Sequence, residues 1–366
     1  MWLTSSSIGR KFVMAVTGIA LVLFVTFHVL MNAVALIWPT AYNQVCEFLG
    51  ANWYALIASA GLALLFIIHI IYALWLTIQN RAARGNDRYA VNARQPQVEW
   101  SSKNMLVLGI VVLAFLAVHL IQFWAKMQWM ELRDADLAVL PQLEGTPCPP
   151  AMGTLFIQMA FAEVWTPIVY IIGFVALWFH MTHGFWSMFH TIGWDNNIWI
   201  SRLKKIACWW TSIVVALFIA QAIVFTVHAH NNYYTTNPEL KAQYGEYWSN
   251  YFNAQADELL PQIEAAFNDF QQQPDFNTAE AQQKFFATTI AEYMPQAQAI
   301  INNLAQYAGE YAKANESTAT LSSFVQNFGP MVERAKMLQN AAPVPATPAV
   351  QAQPVEQPQP ENTNNQ

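Results

Sequence analysis

Residues 11–37 read KFVMAVTGIALVLFVTFHVLMNAVALI, and after Lys11 no position in this stretch carries a charge. At ~1.5 Å per residue the run makes a helix longer than the ~30 Å hydrocarbon core of a bilayer. Its apolar part is too long for the h-region of a signal peptide, and no small-residue cleavage site follows, so it reads as a retained span. The charge-free run extends over 12–46, and four more follow at 48–80, 104–125, 164–194 and 206–238. Trimmed at loop signals such as Trp38-Pro39 and Pro147-Cys148-Pro149-Pro150, they predict five membrane helices at about 11–37, 53–79, 103–127, 160–189 and 206–230.

Composition agrees. Of 366 residues, 55% are hydrophobic and only 11% are charged, against the roughly 25% charge of soluble domains. The 15 tryptophans suit aromatic belts at membrane interfaces. A wholly cytosolic enzyme is excluded on these grounds. The charge is uneven: residues 1–228 hold 12 Lys/Arg and 9 Asp/Glu, whereas 229–366 hold 5 and 14. Three domains are expected: a membrane domain at 1–230, an acidic helical extension at 231–340, and a disordered Pro/Gln-rich tail at 341–366. In the extension, Leu260, Ile263, Phe267 and Phe270, then Ile290 to Ala308, then Phe324 to Leu338, recur at helical spacing and predict two or three amphipathic helices. The cysteines Cys46, Cys148 and Cys208 form no CxxC, which argues against zinc, a cysteine-held cluster or covalent haem. No dinucleotide or Walker loop occurs, and no Lys/Arg cluster is dense enough for nucleic acid.

Lys and Arg set the direction of insertion. Arg10 and Lys11 precede the first span, Arg81, Arg84, Arg88, Arg94 and Lys103 separate the second from the third, and Arg202, Lys204 and Lys205 precede the fifth. The opposite connections hold only Lys126 and Arg133. The positive-inside rule therefore puts the N-terminus in the cytoplasm and the extension outside, as in a multi-pass membrane protein.

Histidines inside spans are expensive and default to functional candidates. His28 lies 17 residues after Lys11 and His119 lies 16 after Lys103, on helices that run outward; both sit toward the outer face. His69 lies 17 residues after Asn52 and His180 lies 17 after Glu163, on helices that run inward; both sit toward the cytoplasmic face. Two pairs of imidazoles at two levels are what two six-coordinate haems stacked across a membrane require. Four unrelated hydrogen-bonded histidines are the bland alternative. Gly18, Gly61, Gly109 and Gly173 precede these histidines and would let backbone approach the haem of the other level, although small-residue helix packing explains them almost as well. His183 shares a face with His180 and competes with it as a ligand. His190, His228 and His230 lie at helix ends, where contact with headgroups or propionates is the expectation.

These residues carry a resemblance. Ser5-Ser6-Ser7-Ile8-Gly9-Arg10-Lys11 with Met14-Ala15-Val16-Thr17-Gly18, Phe27-His28 with Asn32, His69-Ile70-Ile71-Tyr72, Ser101-Ser102-Lys103-Asn104-Met105 leading to His119, and Phe179-His180 with Gly184-Phe185-Trp186-Ser187 resemble the dihaem cytochrome b subunit of succinate dehydrogenase and fumarate reductase, of the single large-anchor type. The resemblance covers about residues 1–228, and Val98-Glu99-Trp100 with Gln122-Phe123-Trp124-Ala125-Lys126 points to Bacteroides-like forms. It implies an all-α five-helix bundle of a bacterial inner membrane with two stacked b-type haems, non-covalently bound; the outer C-terminal helical extension is added by this sequence's own apolar pattern. His28 and His119 would ligate the distal haem iron, and His69 and His180 the proximal one. It further implies a flavoprotein and an iron-sulfur subunit docked on the cytoplasmic side, menaquinone as the quinone, and an oligomer of the whole complex as one possible assembly. Dicarboxylate chemistry would belong to the partner.

Family members keep a carboxylate near the distal haem for quinone protonation. Glu47 is the expected counterpart, although its spacing from His28 departs from the pattern, and Glu163 is the reserve. Trp178 stands where some members place a glutamate for transmembrane proton return, so the resemblance does not extend to that path. The acidic extension is a second departure. The rivals are a dihaem quinol-oxidising subunit of another respiratory complex, and a transporter or scaffold that binds no haem.

Overall fold

The chain enters its first helix through a capping serine: Ser6 Oγ accepts the Gly9 N–H at 2.9 Å, which satisfies one of the unpaired donors of the first turn. In this computed structural model residues 6–84, 99–194 and 196–340 are described. Ser5, Arg88, Arg94, Val98 and the segment 341–366 lie outside the described residues.

The helices are α1 (Ser7–Ile37), α2 (Pro39–Ala51), α3 (Trp53–Arg84), α4 (Met105–His119, prolonged by one π turn, Leu120–Trp124), α5 (Gly153–Phe161), α6 (Trp165–Thr191) and α7 (Trp199–His230). Among the described residues, α1, α3, α4 with its π turn, α6 and α7 are the five helices long and apolar enough to cross a membrane. The protein is an all-α membrane protein of this kind. The end of the bundle at which α1 finishes is called the upper end below, and the end at which it starts the lower end.

Two connections differ from the expected spans. The segment after Trp38 is a helix rather than a loop, because Pro39 fits the first helical position, where its missing N–H costs nothing. The fourth span does not start near residue 160. Instead α5 ends at Phe161, the chain turns through 162–164 with the Thr166 N–H donating to the Glu163 carbonyl, and α6 starts at Trp165. Separation follows from burial: Thr154, Phe156 and Ile157 of α5 are buried in the protein, as a membrane-facing helix would not be. A two-residue hairpin, β1 (Gln142–Leu143) against β2 (Thr146–Pro147), precedes α5, and its turn uses positive φ at Glu144 and Gly145.

Within the bundle α6 is central, packing on α7, α4 and α1, while α3 leans mainly on α1. The largest core cluster lies in the upper half, where Val29, Tyr170, Phe174, Phe218 and Phe225 meet. The compact unit extends to Tyr247. Residues just past the fifth span account for this: Tyr234 and Leu240 belong to the same core, the Tyr244 and Thr154 hydroxyls are 2.7 Å apart, and Asn43 Nδ2 donates to Gln243 Oε1 at 2.9 Å.

A second compact unit starts at Trp248. It takes most of α8 (Pro238–Gln271), then α9 (Ala279–Phe285), α10 (Ala291–Asn303) and α11 (Glu316–Asn340), with π turns at Phe286–Ile290 and Leu304–Ala308. The buried stripe of α8 is Phe252, Ala256, Leu259 and Ile263, at spacings of four, three and four. Leu259 therefore replaces Leu260 in the core, and Ile300 replaces Ile301 for the same reason. Met331 and Leu338 point outward, 50% and 54% exposed.

Candidate functional site

Four helices bring their histidines together in two pairs. His28 on α1 and His119 at the end of α4 face each other in the upper half, ring centres 5.7 Å apart and planes at 82°. His69 on α3 and His180 on α6 face each other lower down, at 6.4 Å and 64°. His183 turns away from this second pair, its Nδ1 3.3 Å from Glu99 Oε2. Two imidazoles bound on opposite sides of one metal hold their ring centres roughly 6 Å apart, from metal–nitrogen bonds of about 2 Å and about 1 Å from each nitrogen to its ring centre. Both pairs have that separation. Among the described residues no three His, Cys, Asp or Glu side chains gather to hold an ion, so each pair offers two ligands only. That donor set suits a metal whose in-plane positions are filled by a macrocycle.

Surrounding groups orient the rings. His119 Nδ1 lies 3.2 Å from the Tyr170 hydroxyl, which donates to Gln122 Oε1 at 2.9 Å; Gln122 Nε2 in turn donates to Thr166 Oγ1 at 3.1 Å. His69 Nδ1 lies 3.1 Å from Thr17 Oγ1, whose proton goes to the Val13 and Met14 carbonyls. Each oxygen has its own proton committed, so each accepts from the imidazole and leaves Nε2 as the lone-pair nitrogen. His28 is held by Asn32, whose amide nitrogen is 3.3 and 3.2 Å from the two ring nitrogens and whose Oδ1 accepts from Tyr42. His180 Nδ1 is buried without a hydrogen-bond partner, an orphan of the kind that a ligand relieves.

The glycines of the sequence pattern divide. A Cβ on Gly18 would meet His69 at 3.9 Å and one on Gly109 would meet His180 at 3.6 Å, so both helices approach a histidine of the other level. Gly61 borders open space, whereas Gly173 is a packing glycine whose Cβ would run into Phe115. His228 and His230 make local contacts, with Tyr234 and the Thr226 carbonyl.

Glu47 lies on α2, beside a depression of about 450 Å³ lined by Gln44, Glu47, Phe48, Asn52, Trp53 and Tyr54. The acid that the fold brings to it is Glu131, from the short helix Gln128–Leu132, rather than Glu163, which is exposed in the turn before α6. Burial, and then the charge of Glu47, push the Glu131 carboxyl above the ordinary carboxylate range. Gly50 makes the approach possible, since a Cβ there would run into the Glu131 carboxylate. Glu131 escaped the sequence reading because its distance from Glu47 along the chain hides a contact made only by folding. At the lower end Glu99 is 2.8 Å from Lys204 and 3.3 Å from His183. Partial burial pushes the Glu99 carboxyl up, but hydrogen bonds from Lys204 and His183 and their charges outweigh it, and its pKa is lowered.

In comparisons with known proteins, the chain matches no family model, no curated protein and no solved structure.

Proposed function

We propose that this chain is the membrane-anchor cytochrome b subunit of a succinate:quinone oxidoreductase, passing electrons between an iron-sulfur partner and menaquinone. The observation that carries the reading is the pairing itself: four histidines from four different spans, in two couples at ring separations of 5.7 and 6.4 Å. Cytochromes of the bc type instead take two histidines from each of two helices, which disfavours the rival dihaem reading. Haem bound at the two levels supplies one-electron carriers spaced across the membrane.

The chain's own residues have distinct tasks. His28 and His119 would hold the upper haem, His69 and His180 the lower. Thr17 and Tyr170 would keep a proton on Nδ1 of their histidines and so leave Nε2 free to hold the iron. Asn32 has to release one ring nitrogen of His28 and can keep the other. Arg10, Lys11, Lys103, Arg202, Lys204 and Lys205 cluster at the lower end, which the positive-inside rule assigns to the cytoplasm and to the flavoprotein and iron-sulfur partners. Glu47 and Glu131 then lie on the outer side, where a carboxyl of raised pKa can exchange protons with a quinone as electrons pass.

The test is a reduced-minus-oxidised spectrum of the purified chain with haem counted per polypeptide, for wild type and for His28→Ala, His69→Ala, His119→Ala and His180→Ala. Two b-type haems are expected, one lost or altered by the first and third variants, the other by the second and fourth. A folded wild-type preparation without haem under haem-replete expression would overturn the reading in favour of a transporter or scaffold.

A further inference from the structure

We infer that Tyr170 is a positioning residue for the upper pair: its hydroxyl, fixed by Gln122, holds a proton on His119 Nδ1 and lowers the reduction potential of the haem that His28 and His119 would share. This rests on the proposed haem binding and adds to it a built-in difference between the two levels.

The direction of the hydrogen bonds carries the argument. Gln122 Nε2 donates to Thr166 Oγ1 at 3.1 Å, with Oε1 turned toward Tyr170. The Tyr170 hydroxyl donates its single proton to that Oε1 at 2.9 Å. It can therefore meet His119 Nδ1, 3.2 Å away, only as an acceptor, and the proton between them belongs to the imidazole. The chain is sealed from water: Tyr170 is 4% exposed, Gln122 8% and Thr166 not at all. Phe115, Phe161 and Phe174 meet the Tyr170 ring edge to face, with centres 5.0 to 5.9 Å away, so the hydroxyl has no freedom to leave. Local backbone contributes as well. Directly after His119 the helix passes into the π turn Leu120–Trp124, which buries Gln122 while its neighbours Leu120 and Ile121 stay exposed. Such turns recur at functional sites.

Donation from Nδ1–H makes an imidazole a stronger electron donor to the metal at its other nitrogen, which favours oxidised iron and lowers the potential. Here the acceptor is itself polarised by its bond to Gln122, which strengthens the effect. The lower pair lacks a comparable chain among the described residues. His69 meets only Thr17, whose proton is shared between two backbone carbonyls, and His180 Nδ1 has no partner.

The experiment is a redox titration of the purified full-length protein, followed by absorbance and low-temperature EPR, for wild type, Tyr170→Phe, Gln122→Met and Thr166→Val. His119→Ala identifies the upper haem. Tyr170→Phe is expected to retain both haems and to raise the upper midpoint by the equivalent of about tenfold in its reduction equilibrium, about 59 mV for a one-electron couple. Gln122→Met is expected to move it the same way by less and Thr166→Val by less again, with the lower midpoint unmoved throughout. If Tyr170→Phe fails to assemble, Gln122→Met decides, since it leaves the phenol in place. Two bound haems whose midpoints do not move, or which move together, would overturn the inference while leaving the proposed function intact. Wild type without haem would instead overturn the proposed function.

Discussion

Glu131 is a carboxyl whose proton affinity is set by two neighbours, the protein that buries it and the charge of Glu47. If it delivers protons to a quinone at the upper end, turnover should fall as pH rises through its raised pKa. Glu131→Gln should then lower quinone turnover by ~10²-fold or more, the usual contribution of a positioned acid, while both haems remain bound. Glu47→Gln has a different signature. Removing the adjacent negative charge lowers the Glu131 pKa, so the descending limb of the pH profile should move to lower pH. An unshifted profile would mean that the two carboxylates act independently. Thr17 makes a parallel case at the lower level. Thr17→Val keeps its volume but removes the acceptor of His69 Nδ1–H, and should raise the midpoint of the lower haem alone in a redox titration.

Helices act here through where they come close. Gly109 brings α4 against the His180 ring, with 3.6 Å between its would-be Cβ and the ring carbon. Gly109→Val puts two methyl groups beyond that point, and haem analysis should find the lower haem lost and the upper one retained. Glu99 joins elements instead, tying the start of the short helix Trp100–Lys103 to α7 through Lys204 and to α6 through His183. Its folded pKa lies below the ordinary glutamate value, so its ionised form stabilises the protein above the unfolded pKa. That contribution is lost as pH falls through the folded pKa. Glu99→Gln should therefore lower the melting temperature near neutral pH, with the gap to wild type closing as pH falls through the lowered Glu99 pKa. This level is also where sequence alone carried furthest. Charge-free length gave the five spans, and counting residues from each entry point put His28 level with His119 and His69 level with His180, because helix rise is constant. Counting could not find α2, since a charge-free run does not say where it bends. Nor could it find Tyr170, Gln122 and Glu131, whose roles depend on contacts between elements with no period in the sequence. Leu259 and Ile300, buried more deeply than Leu260 and Ile301 of the periodic pattern, were hidden for a smaller reason: two adjacent apolar residues fit the same pattern until packing chooses one.

At the scale of the molecule the question is where the membrane unit ends. The fifth span finishes at His230, yet the compact unit runs on to Tyr247. The added residues are part of its core: Tyr234 is fully buried, Leu240 is 1% exposed, and Tyr244 meets the Thr154 hydroxyl of α5. Gln243 holds α2 from two sides, donating to the Thr40 carbonyl at 3.0 Å and accepting from Asn43 at 2.9 Å. Since α2 carries Glu47 and Gly50, the stretch 231–247 supports the carboxylate pair as well as the core. Two truncations should thus behave differently. Ending the chain after His230 strips large side chains from a packed core at about 2–5 kcal/mol each and releases α2. Ending it after Tyr247 removes the second unit, whose own core is built from Phe252, Ile263, Ile290 and Leu321. The shorter protein should melt at lower temperature and lose quinone turnover, while the longer keeps wild-type haem content and turnover. The measurement is haem per polypeptide, melting temperature and quinone reduction for both truncations side by side. Equal losses in the two would make the second unit necessary for the membrane unit to hold its site, and equal retention would strip the 231–247 stretch of the supporting role its contacts describe.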